Sequence, residues 1–464
     1  MIRYWERQSA TPVMVVEIPN DQTRPPALRS LPKAFRLESA PHFDMSRFAE
    51  TARSIFRHPG FLGLLAINFT LGLAYSFVVP FMSMFGTLEV GMTPVMFGTF
   101  MTITSVSAIV LSTFLASWSD SHVSRRTLLL MGAAGGLLGY TGYAFVRNPV
   151  ALTIIGSLAL GVASVNFSQL FAYVREELGR PEHIHADAPL LMSVLRVSFS
   201  LAWTIGPAIG AAVMMHLSYT GVFLAAASLF FVFLVGVIRF VPHRSHPSVE
   251  DRARREPLRK VLGRPIILAH FGGFVLVFAA FTMNMMNLPL LVTQQLGGSE
   301  RDVGIIFGIA PIVEMPLMIW FGRLAAQGHQ VRLIRFGVFI GACYFIALTF
   351  VGAPWHIYPM QILSAASIAV TTNVAITFFQ DLVPGQAGVA TSIYSNSYST
   401  GNLLGYFLFG VLLESVGYRG VFWACTGLSV VTLIIFMFYR HSHEVRRQAV
   451  PLPSPEQSGT GIRR

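Results

Sequence analysis

The chain has 464 residues, 53% hydrophobic and only 12% charged, with a formal net charge of +11. Soluble globular proteins carry about 25% charged residues, so this chain lacks the charges to cover a water-facing surface. Soluble enzymes, nucleic-acid binders and secreted disulfide domains are disfavoured, and continuous apolar runs argue against an outer-membrane barrel, whose segments alternate over about ten residues.

Residues 1–60 are polar and Pro-punctuated, with Pro25-Pro26 and a short amphipathic stretch near Phe48–Phe56. They read as a disordered cytoplasmic extension, or interfacial at most, and carry no apolar signal-peptide core. Met45 precedes a basic lead into the first apolar run, so translation from Met45, with residues 1–44 dispensable, is an expectation.

A membrane-crossing helix needs about 20 apolar residues. Such runs lie near 61–85, 94–117, 127–146, 150–172, 190–214, 220–241, 266–290, 302–322, 333–352, 357–378, 388–412 and 420–439. The expected fold is an all-α polytopic membrane protein of twelve transmembrane helices. Residues 61–241 and 266–440 form two six-helix bundles, 242–265 a basic cytoplasmic linker and 441–464 a cytoplasmic tail. With both termini inside, 29 of the 33 Lys and Arg fall on the cytoplasmic side, and only Arg147, Arg301 and Arg419 lie outside. That asymmetry follows the positive-inside rule, so the net charge is an orientation signal and not a nucleic-acid footprint. The stretch from Arg252 to Arg264 reads as a solvated linker along anionic headgroups.

The two halves share a short repeat. Ser193-Val-Leu-Arg-Val-Ser198-Phe-Ser200 with Gly206 matches Ser392-Ile-Tyr-Ser-Asn-Ser397-Tyr-Ser399 with Gly405 at a constant offset of 199. Together with the six-plus-six layout it points to a transporter built of repeats, with its site near mid-membrane between the halves.

Charges inside spans are rare, costing about 2.5–3.5 kcal/mol on insertion scales. Only Glu314 and Arg196 lie well inside. Glu314, beside Pro316, reads as a proton carrier or an acceptor for sugar hydroxyls, or else as a buried structural acid. Arg196 bonds substrate oxygens, pairs with Glu314, or snorkels to the cytoplasmic face. Asn68, Asn284, Asn287, Gln361, Asn373, Asn396 and Asn402 are helix–helix glue taken singly. Collectively they resemble the lining of a sugar site, with Trp203, Tyr75, Tyr394 and Tyr398 as aromatic walls. Gly206-Pro207-Ala-Ile-Gly210 gives a kink and close helix contact. Cys343 and Cys425 lie in apolar runs, and His216, His270 and His356 stand singly at span ends. No metal, cofactor or enzymatic role is expected, since no nucleophile–base set or metal cluster is visible.

Several stretches resemble the major facilitator superfamily and, within it, the sugar efflux transporter family, over residues 60–440. They are Ser119-Asp-Ser-His-Val-Ser-Arg125-Arg126, Gln169-Leu-Phe-Ala-Tyr-Val-Arg175-Glu176, Ser200-Leu-Ala-Trp-Thr-Ile-Gly-Pro207, Glu314-Met-Pro316, and Phe379-Gln-Asp-Leu-Val-Pro-Gly385 continuing through Ala390-Thr391, Asn396-Ser397 and Ser399-Thr-Gly401. The resemblance implies a monomeric secondary transporter of the bacterial inner membrane. It would export small sugars or glycosides by alternating access, driven by inward proton movement. It also implies cytoplasmic gating by Asp120, Arg125 and Arg126, and the ends of spans four and ten add Arg175, Glu176, Gln380 and Asp381. The loop is degenerate, with Ala116 and Val123 where the superfamily has glycines, and the fourth span lacks the motif arginine of several proton antiporters. The family places an acid where Asn287 stands, which would leave Glu314 to carry any intramembrane carboxyl chemistry alone. A multidrug or other metabolite exporter on the same fold is the rival, favoured by an aromatic, Met-rich cavity with few usable amides; a non-transporting membrane sensor is the remoter one.

Overall fold

A computed structural model describes residues 60–119, 123–178, 188–242, 264–383 and 387–438. Among these residues there are helices and turns and no strand. Nine helical segments are long and apolar enough to cross a membrane. Three of them run to 47, 50 and 50 residues, more than twice what a bilayer needs. Each is broken at one residue of positive φ: Ser218 at 58°, Gly328 at 84° and Gly417 at 68°. Dividing there gives the twelve segments used below.

In chain order these are α1 (Phe61–Glu89), α2 (Pro94–Ser119), α3 (Arg125–Phe145), α4 (Pro149–Leu178), α5 (188–217) and α6 (219–240). The second half follows with α7 (Pro265–Gln294), α8 (Glu300–Leu324), α9 (Gln330–Thr349), α10 (Pro354–Leu382), α11 (387–416) and α12 (418–438). Local chemistry sets the starts. The Ser124 hydroxyl accepts from the Thr127 amide, and Asn148 Oδ1 accepts from the amides of Val150 and Ala151 with Pro149 in the first turn. Asp302 accepts from the Ser299 amide at 2.8 Å and starts α8. α4 and α10 each contain a π-helical turn, Gly156–Leu160 and Val370–Val374.

The repeat is visible in the packing. α5 lies on α1, and a Cβ on Gly206 would stand 1.8 Å from Ser76 Oγ. α11 lies on α7, and a Cβ on Gly405 would stand 2.6 Å from Thr282 Cβ. One turn away, Ala202 meets Gly72 as Gly401 meets Phe278. The glycines matched at offset 199 therefore do the same work in each half. They let two helix axes approach more closely than a side chain permits.

The two bundles touch at the end opposite the arginine-rich one. A Cβ on Gly98 of α2 would lie 2.8 Å from the Gly410 Cα of α11, with Phe97 against Phe409 beside it at 6.1 Å between rings. A Cβ on Gly304 of α8 would lie 2.7 Å from Ala211 Cβ of α5. Exposed Phe145, Phe350, Trp355 and Trp423 sit near this same end, where an aromatic belt meets the membrane surface.

Candidate functional site

α5 and α8 belong to different halves and run antiparallel. Thr204 contacts Gly308, and Ala208 contacts Gly304. Counting toward the basic end at 1.5 Å per residue, Arg196 lies about 12 Å beyond Thr204 and Glu314 about 9 Å beyond Gly308. The two intramembrane charges thus occupy the same depth on facing helices. Tyr394 of α11 interacts electrostatically with both of them and with Tyr398. Three helices from two bundles converge here.

Glu314 is half-buried and Arg196 exposed, and no ion pair joins them. Glu314 makes no hydrogen bond among the described residues. Pro316 takes an N–H out of α8 and leaves the Ile312 carbonyl without its in-helix donor, and Pro207 does the same to the Trp203 carbonyl in α5. The Trp203 indole N–H is itself buried without a partner. On α11, Ser395, Asn396 and Thr400 are exposed, and Tyr398 is 48% exposed with its ring edge-on to Phe278 at 5.1 Å. Polar side chains at membrane depth face water or protein and not lipid. Ser395, Asn396, Tyr398 and Thr400 thus make an exposed polar surface on α11.

The remaining amides have other work. Asn68 is fully buried and donates to the Leu195 carbonyl at 2.7 Å and to Ser198 Oγ at 2.9 Å, binding α1 to α5. Asn287 donates to the Tyr418 carbonyl at 2.8 Å, Asn373 to the Met318 carbonyl at 3.1 Å, and Asn402 accepts from Thr282 at 2.8 Å. Gln361 donates to the Tyr344 hydroxyl at 3.3 Å inside the second bundle, where Asn284 and Ser364 are also buried. Tyr75 donates to the Ala163 carbonyl. Of these amides, Asn396 is the exposed one.

At the basic end, Arg125 Nε donates to Glu176 at 2.8 Å, Nη1 donates to Gln169 at 2.8 Å, and Nη2 completes the ion pair with Glu176. Its counterpart in the second half is Gln330 donating to Asp381 at 2.8 Å. Arg126 turns the other way and donates to the Ile238 carbonyl, neutralising the end of α6. Gln380 reaches Thr391 at 3.4 Å and Arg175 is exposed. Asp120 lies outside the described residues. Sequence reasoning passed over Arg335, whose guanidinium donates to the Phe436 carbonyl and closes α12 as Arg126 closes α6. The two arginines stand 209 residues apart; the repeat offset at this end is 205, and the difference is about one helical turn.

A cavity of about 190 Å³ lies toward the end where the bundles touch. Met82, Met101, Tyr140 and Tyr143 wall it from the first half, and Met286 and Tyr406 from the second. No group of three metal-ligating side chains occurs among the described residues. Cys425 is buried against the Ala280 carbonyl, and His270 is buried and stacked on Phe436.

The family model of the Major Facilitator Superfamily matches residues 64–399 and 357–460. This chain belongs to that superfamily. A Deinococcus radiodurans protein, provisionally named a sugar efflux transporter, is 34% identical over 80% of this chain and 96% of its own length. Sugar efflux transporter A of Dickeya chrysanthemi is 31% identical over 77% of this chain and 90% of its own. The chain is thereby a member of the sugar efflux transporter family, a multi-pass membrane transporter and not an enzyme. A crystal structure of a mutant nucleoside transporter NupG shares the fold, with a TM-score of 0.70 at 14% identity, over 82% of this chain and 99% of that one.

Proposed function

We propose that this member of the superfamily exports small sugars or glycosides across the bacterial inner membrane by alternating access, exchanging them for protons. Both termini are cytoplasmic in this reading, which rests on the arginine asymmetry. The observation that carries it is that Arg196 and Glu314 lie at similar depth on facing helices of the two halves, with Tyr394 in electrostatic range of both. The relatives' names supply the substrate class.

In this reading the structure is cavity-open toward the cytoplasm, because the bundles are pressed together at the opposite end. Arg196, Asn396, Tyr394 and the Trp203 indole offer donors and aromatic faces to sugar hydroxyls and ring C–H surfaces. Glu314 carries the proton. It takes it up when the cavity faces outward and releases it to the cytoplasm. Arg125 with Glu176 and Gln330 with Asp381 brace the cytoplasmic ends of the two bundles so that each moves as a body. Transport is the work of a monomer.

The cavity of methionines and tyrosines favours a second reading, an exporter of more apolar metabolites. Efflux of a labelled panel from cells lacking their own exporters, with and without the proton gradient, separates the two. Gradient-dependent export of sugars and glycosides supports the first. Export confined to apolar non-sugars supports the second.

A further inference from the structure

Arg196 and Glu314 are the two charges well inside the spans, they belong to different halves, and they lie level with each other on facing helices. Yet they form no ion pair. Two opposite charges at one depth in a membrane protein gain most by meeting, because each is otherwise costly there. α5 and α8 are in contact at Thr204 with Gly308 and at Ala211 with Gly304, on the sealed side, while the two charges lie beyond that contact on the side where Arg196, Asn396 and Tyr398 are exposed. Rocking the bundles about this contact, so that the sealed side opens, brings the other side together. It carries Arg196 toward Glu314.

We propose that an Arg196–Glu314 ion pair is the latch that closes the cytoplasmic side, absent in the present conformation and formed in the alternate one. The proposal rests on the reading of Glu314 as the proton carrier and adds a mechanical consequence to it. With Glu314 charged, the latch holds the outward-open state. With Glu314 protonated, the pair loses its attraction and the cytoplasmic side reopens. A proton taken up from outside would then both occupy the carrier and license the return. Among the titratable groups here, Tyr394 of α11 lies in electrostatic range of Glu314, Arg196 and Tyr398. From the π-turn of α10, Asn373 reaches α8 and donates to the Met318 carbonyl at 3.1 Å, and the turn carries no titrating side chain. Tyr394, in electrostatic range of both charges, is placed to bridge them as they approach.

The test needs neither sugar nor a gradient. Spin labels replace Leu88 in the first half and Trp355 in the second, both exposed near the sealed end, in a full-length background with Cys343 and Cys425 changed to alanine. Double electron–electron resonance in lipid nanodiscs reads the distance between them from acid to alkaline pH. The expected result is a longer-distance population that grows as pH rises in the parent protein. It is lost at every pH in Glu314→Gln and Arg196→Gln, restored by the exchange Arg196→Glu with Glu314→Arg, and retained in Arg196→Lys. A parent-like pH response in either glutamine variant overturns the latch. So does a folded charge exchange that stays short. If the exchange does not fold, Arg196→Lys decides: retention of the response supports the pair, and its loss contradicts it. Sugar export assayed on the same preparations tests the proton-carrier reading separately. Gradient-driven export that survives while the distances fail to respond would refute the latch and leave the carrier.

Discussion

Arg125 and Glu176 are joined by an ion pair across 51 residues of chain, and Gln330 and Asp381, also 51 residues apart, make the matching contact in the other half. Both contacts tie the start of a bundle's third helix region to the end of its fourth. The second half keeps the geometry with one charge fewer.

The first contact is a forked guanidinium that also holds Gln169, whereas the second is a single amide donor. Both are partly exposed, so their worth to folding is about 0–1 kcal/mol. Arg125→Ala is therefore expected to leave thermal unfolding of the purified protein within a few degrees of the parent while depressing export strongly. Gln330→Ala should have the milder effect. Exchange to Arg125→Glu with Glu176→Arg should recover part of the export rate. Thermal unfolding in detergent and efflux rates in vesicles check this together.

Asn68 is a structural residue in this fold. Its amide makes two bonds from α1 to α5 in a fully buried setting. Interhelical bonds in membranes are worth about 0.6–2 kcal/mol. Asn68→Ala should lower thermal stability measurably and leave the order of preference among exported sugars unchanged. A changed preference with unchanged stability would place Asn68 in the lining instead.

Gly98 and Gly410 bring α2 and α11 into close contact, which in the proposed cycle is the outer seal. A side chain at residue 98 would run into the Gly410 backbone, which cannot give way as a flexible side chain would. Overpacking costs about 1–3 kcal/mol, enough to move a two-state balance about 5- to 150-fold. Gly98→Leu should hold the outer end apart. A cysteine replacing buried Phe409 should then react faster with a membrane-impermeant maleimide, while expression is preserved because leucine favours a helix more than glycine does.

The helical fold was largely legible in the sequence because twenty-residue apolar runs follow directly from the bilayer. The spans ended where Ser218, Gly328 and Gly417 reverse the chain, and short loops made helix pairs run together. The site was legible only in part. Glu314 and Arg196 stood out because charge is scarce at that depth. The amides did not sort themselves: Asn68, Asn287, Asn373 and Asn402 look like Asn396 in sequence, and only the packing shows which carbonyl lies within reach. Likewise Arg125 and Arg126 are neighbours in the chain, but adjacent helical positions point about 100° apart. One therefore meets α4 and the other α6.

The central claim is that Glu314 couples proton movement to export. Its most direct test is Glu314→Gln in proteoliposomes of defined orientation loaded with a labelled sugar. The account predicts that an inward proton gradient no longer accelerates efflux. Gradient-driven efflux by Glu314→Gln equal to that of the parent would contradict it.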